Sequence, residues 1–237
     1  MAQSIPVRTV LFDYDGTLTN SMVLFEAVVK RALAWFKRPV TPEREQRLGR
    51  EIYAYSVQTV PRGGRLLVLQ TFYSIGRICD LSPPKAVLFT AYCLLSVRRQ
   101  YHKVELKPDA TKVLQRLQDE GLVVGLVTMA SAKEVLTKPE LLQFFQTVVT
   151  RADVTEGKPS PEGLLRAMEE VRADACSTVY VGDLPTDILA AQAAKIRVVS
   201  VAGQLVPREM LVQLRPDHFA TSLTDVMGWV LAQNQSS

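Results

Sequence analysis

Cysteine and histidine are scarce in this chain. Its 237 residues hold three cysteines, Cys79, Cys93 and Cys176, and two histidines, His102 and His218. The cysteines are odd in number and widely spaced, with no Cys-x-x-Cys. That argues against a disulfide framework or a structural zinc site and suits a reducing cytoplasm. No Gly-x-Ser-x-Gly elbow occurs, and neither histidine has an evident nucleophile partner, so a serine-type hydrolase is a poor reading. Long apolar runs are lacking too. The longest candidate, AVLFTAYCLLSV (86–97), is too short to span a bilayer and reads as a buried helix. The first ten residues, MAQSIPVRTV, have no basic-then-apolar signal layout. Repeats and low-complexity segments are absent. The basic residues form no run and no familiar nucleic-acid motif, so neither nucleic acid nor a membrane is expected as a partner.

What is present is enough apolar material, 47% of residues, for one sizeable core or two modest ones. Charge is unevenly distributed. Residues 19–104 carry 14 Lys/Arg against five Asp/Glu, a net of +9, while the remainder carries 14 against 19. A basic insert facing an acidic body suits an anionic substrate held over a cation; arginines that merely solvate helix surfaces explain it equally well.

The pattern along the chain is α/β. After a short apolar strand at 7–12 come four helical stretches, near 21–37, 42–60, 64–79 and 83–102, with a turn at VPRGGR (60–65). From about Lys107 helices and strands alternate: helix 109–120 stopped by Gly121, strand 122–128, a weaker helical region at 131–145 and a short strand at 147–150. Helix 160–172, with Ser160 as N-cap and Pro161 at its first position, strand 178–182, helix 185–195 and strand 196–201 follow, and the tail adds a helix, a short strand and a helix at 222–233. This alternation implies a Rossmann-like, mainly parallel sheet with helices on both faces and ligands at the carboxyl ends of its strands. The all-helical segment 19–104 interrupts the sheet after its first strand, giving a core of 1–18 and 105–237 and a second domain of 19–104.

That first strand ends in VLFDYDGTLTN (10–20). Side chains two apart on a strand point the same way, so Asp13 and Asp15 aim at one region. Two close carboxylates repel, and one is pushed neutral unless a cation intervenes. The pair therefore indicates a metal, an acid/base couple or both, while a plain strand-end turn is the simpler alternative. Gly16 permits a tight turn and close approach of an anion, and Thr17 adds a hydroxyl. Three further polar clusters sit at strand ends. Thr128, before MASAKE, offers a hydroxyl and free amides to a phosphate. Lys158, in EGKPSPEG (156–163), is placed between rigid neighbours to neutralise a phosphate or a carboxylate. In VYVGDLPTDILAA (179–191), Asp183 lies at a strand tip and Asp187 in a first helical turn. The helix dipole accounts for Asp187 but not for Asp183. Each cluster alone has an ordinary structural explanation; four together at one sheet edge make a site of hard oxygen ligands, of the kind that favours Mg²⁺.

The ordered motifs DYDGT, VTMAS, GKPSP and GDLPTD, with a helical insert after the first, resemble the haloacid dehalogenase-like superfamily over nearly the whole chain. The nearest subgroup is the phosphoglycolate-phosphatase-like and β-phosphoglucomutase-like set with a small helical cap. The resemblance implies Asp13 as a nucleophile forming an aspartyl-phosphate and Asp15 as the group that protonates the leaving oxygen and then activates water. It implies Gly16, Thr17, Thr128 and the Met129 amide as phosphate-binding and Lys158 as the neutralising cation. Mg²⁺ would be held by Asp13, the Asp15 carbonyl and Asp183, with Asp187 alongside. An acid at position 15 favours phosphate transfer over dehalogenation, because a halide leaves without a proton and an alkoxide does not. Three positions depart from the usual pattern: Tyr14 for leucine, Met129 for asparagine and Lys195 for glycine.

The resemblance therefore implies an Mg²⁺-dependent, cytoplasmic phosphatase of a small phosphorylated metabolite, monomeric or homodimeric. In the helical insert, Arg50, Arg62 and Arg65 are the candidates for reading an anionic substrate. A phosphomutase on the same site and a non-catalytic binding protein on an inherited fold are the alternatives.

Overall fold

Strand β1 (Thr9–Phe12) runs through the middle of a six-stranded, entirely parallel sheet in a computed structural model that describes residues 5–58, 65–135, 137–203 and 206–235. Four helices follow it directly: α1 (Ser21–Trp35), α2 (Pro42–Gln58), α3 (Arg65–Ile78) and α4 (Pro83–Gln100). The chain then returns through α5 (Ala110–Asp119), β2 (Val123–Val127), α6 (Ala132–Val135), α7 (Pro139–Leu142) and β3 (Thr147–Val149). It continues with α8 (Glu162–Glu170), β4 (Thr178–Gly182), α9 (Pro185–Ala193), β5 (Arg197–Val201), α10 (Arg208–Gln213), β6 (His218–Ala220) and α11 (Leu223–Gln235). The strand order is β3-β2-β1-β4-β5-β6. Apart from Val123 and Arg197, each the first residue of its strand, every residue of β1, β2, β4 and β5 is buried, as expected for a sheet covered on both faces.

Two apolar layers enclose the sheet. Leu11, Tyr180 and Val198 pack with Leu164 and Ile188 from α8 and α9. On the other face Val10, Phe12, Leu126 and Val181 pack with α5 and α11, and this core runs on through Leu18 and Tyr101 into Leu33, Phe72 and Phe89 of the helical insert. Insert and sheet thus share one core, and truncating Phe12 at its centre costs about 3–5 kcal/mol. The two chain segments joining them are tied: Asn20 N–H donates to the Glu105 carbonyl at 2.8 Å and Lys107 N–H to that of Leu18 at 2.9 Å. The insert is a helical cap, with α1, α3 and α4 packed together and α2 touching α9 of the core.

Local chemistry explains the boundaries. Gly121, at φ +76°, ends α5, with the Leu122 amide reaching back to the Leu117 carbonyl. Pro139 starts α7 and so divides the helical stretch expected at 131–145. Helix α8 begins at Glu162, with Pro161 as N-cap in place of Ser160. The Glu162 carboxylate accepts from the amides of Thr155 and Glu156, folding the preceding loop onto the helix start. The turn expected at 60–65 lies almost wholly outside the described residues. No helix among those described is long and apolar enough to cross a membrane, and Cys79, Cys93 and Cys176 are free.

Candidate active site

Parallel register brings the polar clusters together. Phe12 stands opposite Leu126 on one side and Val181 on the other, so the chain leaves β1, β2 and β4 side by side at one edge. Asp13 continues the ladder by one bond, its amide donating to the Val181 carbonyl at 2.8 Å, and its side chain is buried. Beyond it the chain turns. Leu18 and Thr19 amides both return to the Tyr14 carbonyl, and Gly16 takes φ +79°. A Cβ on Gly16 would lie 2.3 Å from Asp183 Oδ2, so the glycine supplies both the turn and the space for that carboxylate. Asp13 and Asp15 still open onto the same cavity, although a turn rather than continued strand alternation puts them there.

Lys158 lies in the loop before α8 and its ammonium is buried. It donates to Asp13 Oδ1 at 2.7 Å, Asp187 Oδ1 at 2.6 Å and the Tyr180 hydroxyl at 2.9 Å. Burial works against its charge, but Asp13 and Asp187 outweigh it and hold the ammonium protonated well above its usual range. Asp187 uses its other oxygen as a cap, accepting from the amides of Asp183 at 3.1 Å and Leu184 at 2.9 Å. A Cβ on Gly182 would fall 2.4 Å from Asp187, so the Gly-Asp step at the tip of β4 makes room for this arrangement.

Asp183 differs. The Thr17 hydroxyl donates to its Oδ1 at 3.2 Å, but Oδ2 is buried without any partner. Burial, then Asp187 and Asp13, push its carboxyl well above the usual range. Burial likewise raises Asp13 to about 7, opposed by Lys158 and reinforced by Asp187. Carboxylate oxygens of Asp13, Asp183 and Asp187 lie within 4.8 Å of one another. Three carboxylates and one ammonium leave two negative charges, which one divalent cation cancels. The orphaned Asp183 Oδ2 and an all-oxygen donor set fit Mg²⁺.

Asp15 stands apart from that cluster. The Tyr101 hydroxyl donates to its Oδ1 at 2.6 Å, and burial pushes the carboxyl up against the lowering effect of that bond. Thr128 is buried at the end of β2, its hydroxyl oxygen accepting from the Ala130 amide at 3.0 Å. The hydroxyl hydrogen of Thr128 is free of that bond and both Thr128 and Met129 line the cavity. The Met129 methyl group occupies the space a Cβ on Gly157 would take, its Cε 2.2 Å from that position.

Of the three cap arginines only Arg50 can be placed, and it is not brought in. Arg50 is exposed and does not line the cavity, though its neighbour Gly49 does. Arg62 and the side chain of Arg65 lie outside the described residues. Conversely, Tyr101 and Tyr180 escaped sequence reasoning; Tyr180 carried one signal, a polar-tipped ring inside an apolar strand, whereas Tyr101 sits among Arg98, Arg99, Gln100, His102 and Lys103 and carried none.

The sequence model of haloacid dehalogenase-like hydrolases matches residues 7–195. The chain belongs to that family. Among curated relatives, the pyrophosphatase PpaX of Bacillus mycoides is 30% identical over 224 residues, covering 93% of this chain and 95% of its own. That of Oceanobacillus iheyensis is 27% identical over 224 residues, with the same coverage of each chain. Among solved structures, a predicted phosphoglycolate phosphatase from Haemophilus somnus superposes with a TM-score of 0.69 at 20% identity, over 94% of this chain and 97% of its own. A candidate β-phosphoglucomutase from Bacteroides vulgatus gives 0.70 at 22%, over 99% and 91%. These structures share the fold of this haloacid dehalogenase-like hydrolase, helical cap included.

Proposed function

We propose that this hydrolase is an Mg²⁺-dependent phosphatase of a small phosphorylated metabolite, working through an aspartyl-phosphate on Asp13. The observation that carries the reading is the pairing of Asp13 with Lys158 at 2.7 Å on the floor of a cavity onto which Asp15 also opens. The ammonium holds the Asp13 carboxylate in place and opposes the protonation that burial favours, which suits it for attack. The Asp13 oxygen bonds to phosphorus as the ester P–O bond breaks. Asp15, raised by burial, gives its proton to the departing oxygen, then takes one from the water that releases orthophosphate and frees Asp13. Thr128, the Met129 amide and the Gly16–Thr17 turn are the groups for the phosphoryl oxygens, with Lys158 balancing charge. Asp13, the Asp15 carbonyl and Asp183 would hold Mg²⁺, which supplies electrostatic stabilisation of the transferred group when bound. Asp187, with both oxygens occupied, serves by fixing Lys158. We place the core at 1–18 and 105–237 and the cap at 19–104, and the enzyme in the cytoplasm.

The test is orthophosphate release from phosphate monoesters with and without Mg²⁺. Asp13→Asn should abolish metal-dependent release while leaving the far-ultraviolet dichroism unchanged. Near-normal turnover by that variant overturns the assignment.

A further inference from the structure

The cavity that begins at Asp13, Asp15, Thr128 and Lys158 continues beneath the cap and has a volume of about 300 Å³. That is room for roughly ten waters at liquid density, more than a phosphoryl group needs. Away from the catalytic end its apolar walls are Phe25 and Val29 of α1, Val40, Leu48 of α2, and Phe72 and Ile75 of α3, with Thr71 of α3 the uncharged polar side chain among them. The charged cap residues on it are Glu26, Lys30 and Glu45. Lys30 is already paired with Glu26, one helical turn away, and Glu45 also favours its charge. Among the described residues the cap therefore gives the cavity one uncompensated negative charge and no arginine. Among the described side chains the basic residues of the insert lie elsewhere: Arg31, Arg38, Arg47, Arg50 and Arg77 are exposed, and Arg44 is engaged by Asp80 at 3.1 Å.

We propose that the substrate is a phosphate monoester whose leaving group is uncharged and apolar, of about ring or short-chain size, held by the Phe25–Leu48–Phe72 wall. This deepens the phosphatase reading and rests on it. A second phosphate or a carboxylate on the leaving group would meet Glu26 and Glu45 together with one lysine, Lys30, that Glu26 already neutralises. A polyhydroxylated leaving group has more hydroxyls than Thr71 and the charged rim can pair, and each one left against the aliphatic and aromatic walls costs about five- to 150-fold in affinity. An alkyl or aryl group gains about fourfold for each methylene buried. Pyrophosphate, the substrate named by the relatives, is the poorest match to these walls.

The experiment measures kcat/KM of the full chain with Mg²⁺ for ethyl, butyl, hexyl and phenethyl phosphates against phosphoglycolate, a hexose phosphate and pyrophosphate. Calorimetry of hexylphosphonate and phosphonoacetate binding accompanies it. The proposal expects kcat/KM to climb about fourfold per methylene over the lengths the cavity holds, with hexyl phosphate above every polar or charged substrate. Glu45→Lys, a substitution at an exposed position, should raise the phosphoglycolate-to-hexyl ratio about tenfold; an unmoved ratio counts against the proposal. A flat or falling series, or preference for phosphoglycolate, the hexose phosphate or pyrophosphate, overturns it. No release from any ester overturns the phosphatase reading instead. In that case tighter binding of hexylphosphonate than of phosphonoacetate upholds the apolar subsite, while the reverse order or no binding refutes it.

Discussion

The Tyr180 hydroxyl lies 2.9 Å from the Lys158 ammonium and offers its own hydrogen to the Val127 carbonyl at 3.0 Å or to Asp187 Oδ1 at 3.2 Å. Fully buried under the sheet edge, it links β2, β4 and the lysine loop in one contact. Tyr180→Phe keeps the ring and removes these bonds. Stability should fall by about 1–3 kcal/mol, the cost of leaving buried partners unmatched. With Lys158 less tightly fixed, kcat should drop several-fold at unchanged KM. Denaturant unfolding and steady-state kinetics read the two effects separately, and a variant unchanged in both removes Tyr180 from the positioning of Lys158.

Asp183 and Asp187 should respond oppositely to neutralisation. Asp187 holds Lys158 and caps α9, so Asp187→Asn should cost about 3 kcal/mol or more, as breaking a buried ion pair does. Asp183 has an unpartnered oxygen and no cationic contact within hydrogen-bond reach, so Asp183→Asn should leave metal-free stability unchanged or higher. The Mg²⁺ requirement should reverse the ranking. Asp187→Asn should raise half-saturating Mg²⁺ by about 10–100-fold, the range for a supporting group, and Asp183→Asn by more. Equal metal responses would make Asp187 a ligand in its own right.

The fold was legible because each βα unit announces itself twice, once by an apolar strand and once by a cap or stop such as Gly121 or Pro185. The clusters at Asp13, Thr128, Lys158 and Asp183 were legible for a related reason: each alone has an ordinary explanation, but Asp13, Thr128 and Asp183 at the tips of buried strands, with Lys158 in a loop leading into the next helix, coincide at one sheet edge. Two things were not. Sequence cannot show which oxygen of Asp187 faces Lys158, since that depends on α9 docking across β4. Nor could the net +9 of the insert reveal its direction, because most of those arginines project to solvent while a few apolar side chains of α1, α2 and α3 face the cavity.

Burial and mutual repulsion give the site a pH signature. Asp183 is raised by burial, Asp187 and Asp13; Asp13 is raised to about 7 by burial, with Lys158 opposing. In the folded metal-free protein these groups bind protons that the unfolded chain has already lost, so their contribution to stability falls as pH rises through that range. Mg²⁺ must displace the same protons. The rise in Tm on adding Mg²⁺ should therefore be larger at about pH 8 than at about pH 6, and in chelator Asp13→Asn should gain on the wild type as pH increases. A metal-induced shift that shrinks with rising pH contradicts the burial account.

Lys195 ends α9 at φ +58°, with the Ile196 amide returning to the Ala191 carbonyl. A left-handed conformation costs a side-chain-bearing residue about 1–2 kcal/mol, and glycine's greater entropy loss on folding offsets about 0.5–1 of that. Lys195→Gly should stabilise by up to about 1 kcal/mol, a rise in Tm of about 2–4 °C. The side chain is exposed and remote from the cavity, so kinetics should be unaffected. Calorimetry showing a lower Tm would mean that the lysine contributes something beyond its backbone position.

Tyr101 connects the end of the cap to the chemistry through its 2.6 Å bond to Asp15 Oδ1. The bond fixes one carboxyl oxygen and, by favouring the ionised form, lowers a pKa that burial raises. Tyr101→Phe leaves the ring packed but frees the acid to rotate. Proton donation should suffer where the leaving oxygen needs a proton. For an alkyl phosphate kcat should fall about tenfold, within the range general acid catalysis supplies. For p-nitrophenyl phosphate, whose phenolate departs without one, the loss should be much smaller. The ratio of the two kcat values is the readout, because a general loosening of the fold would lower both together, whereas failed orientation of Asp15 lowers one.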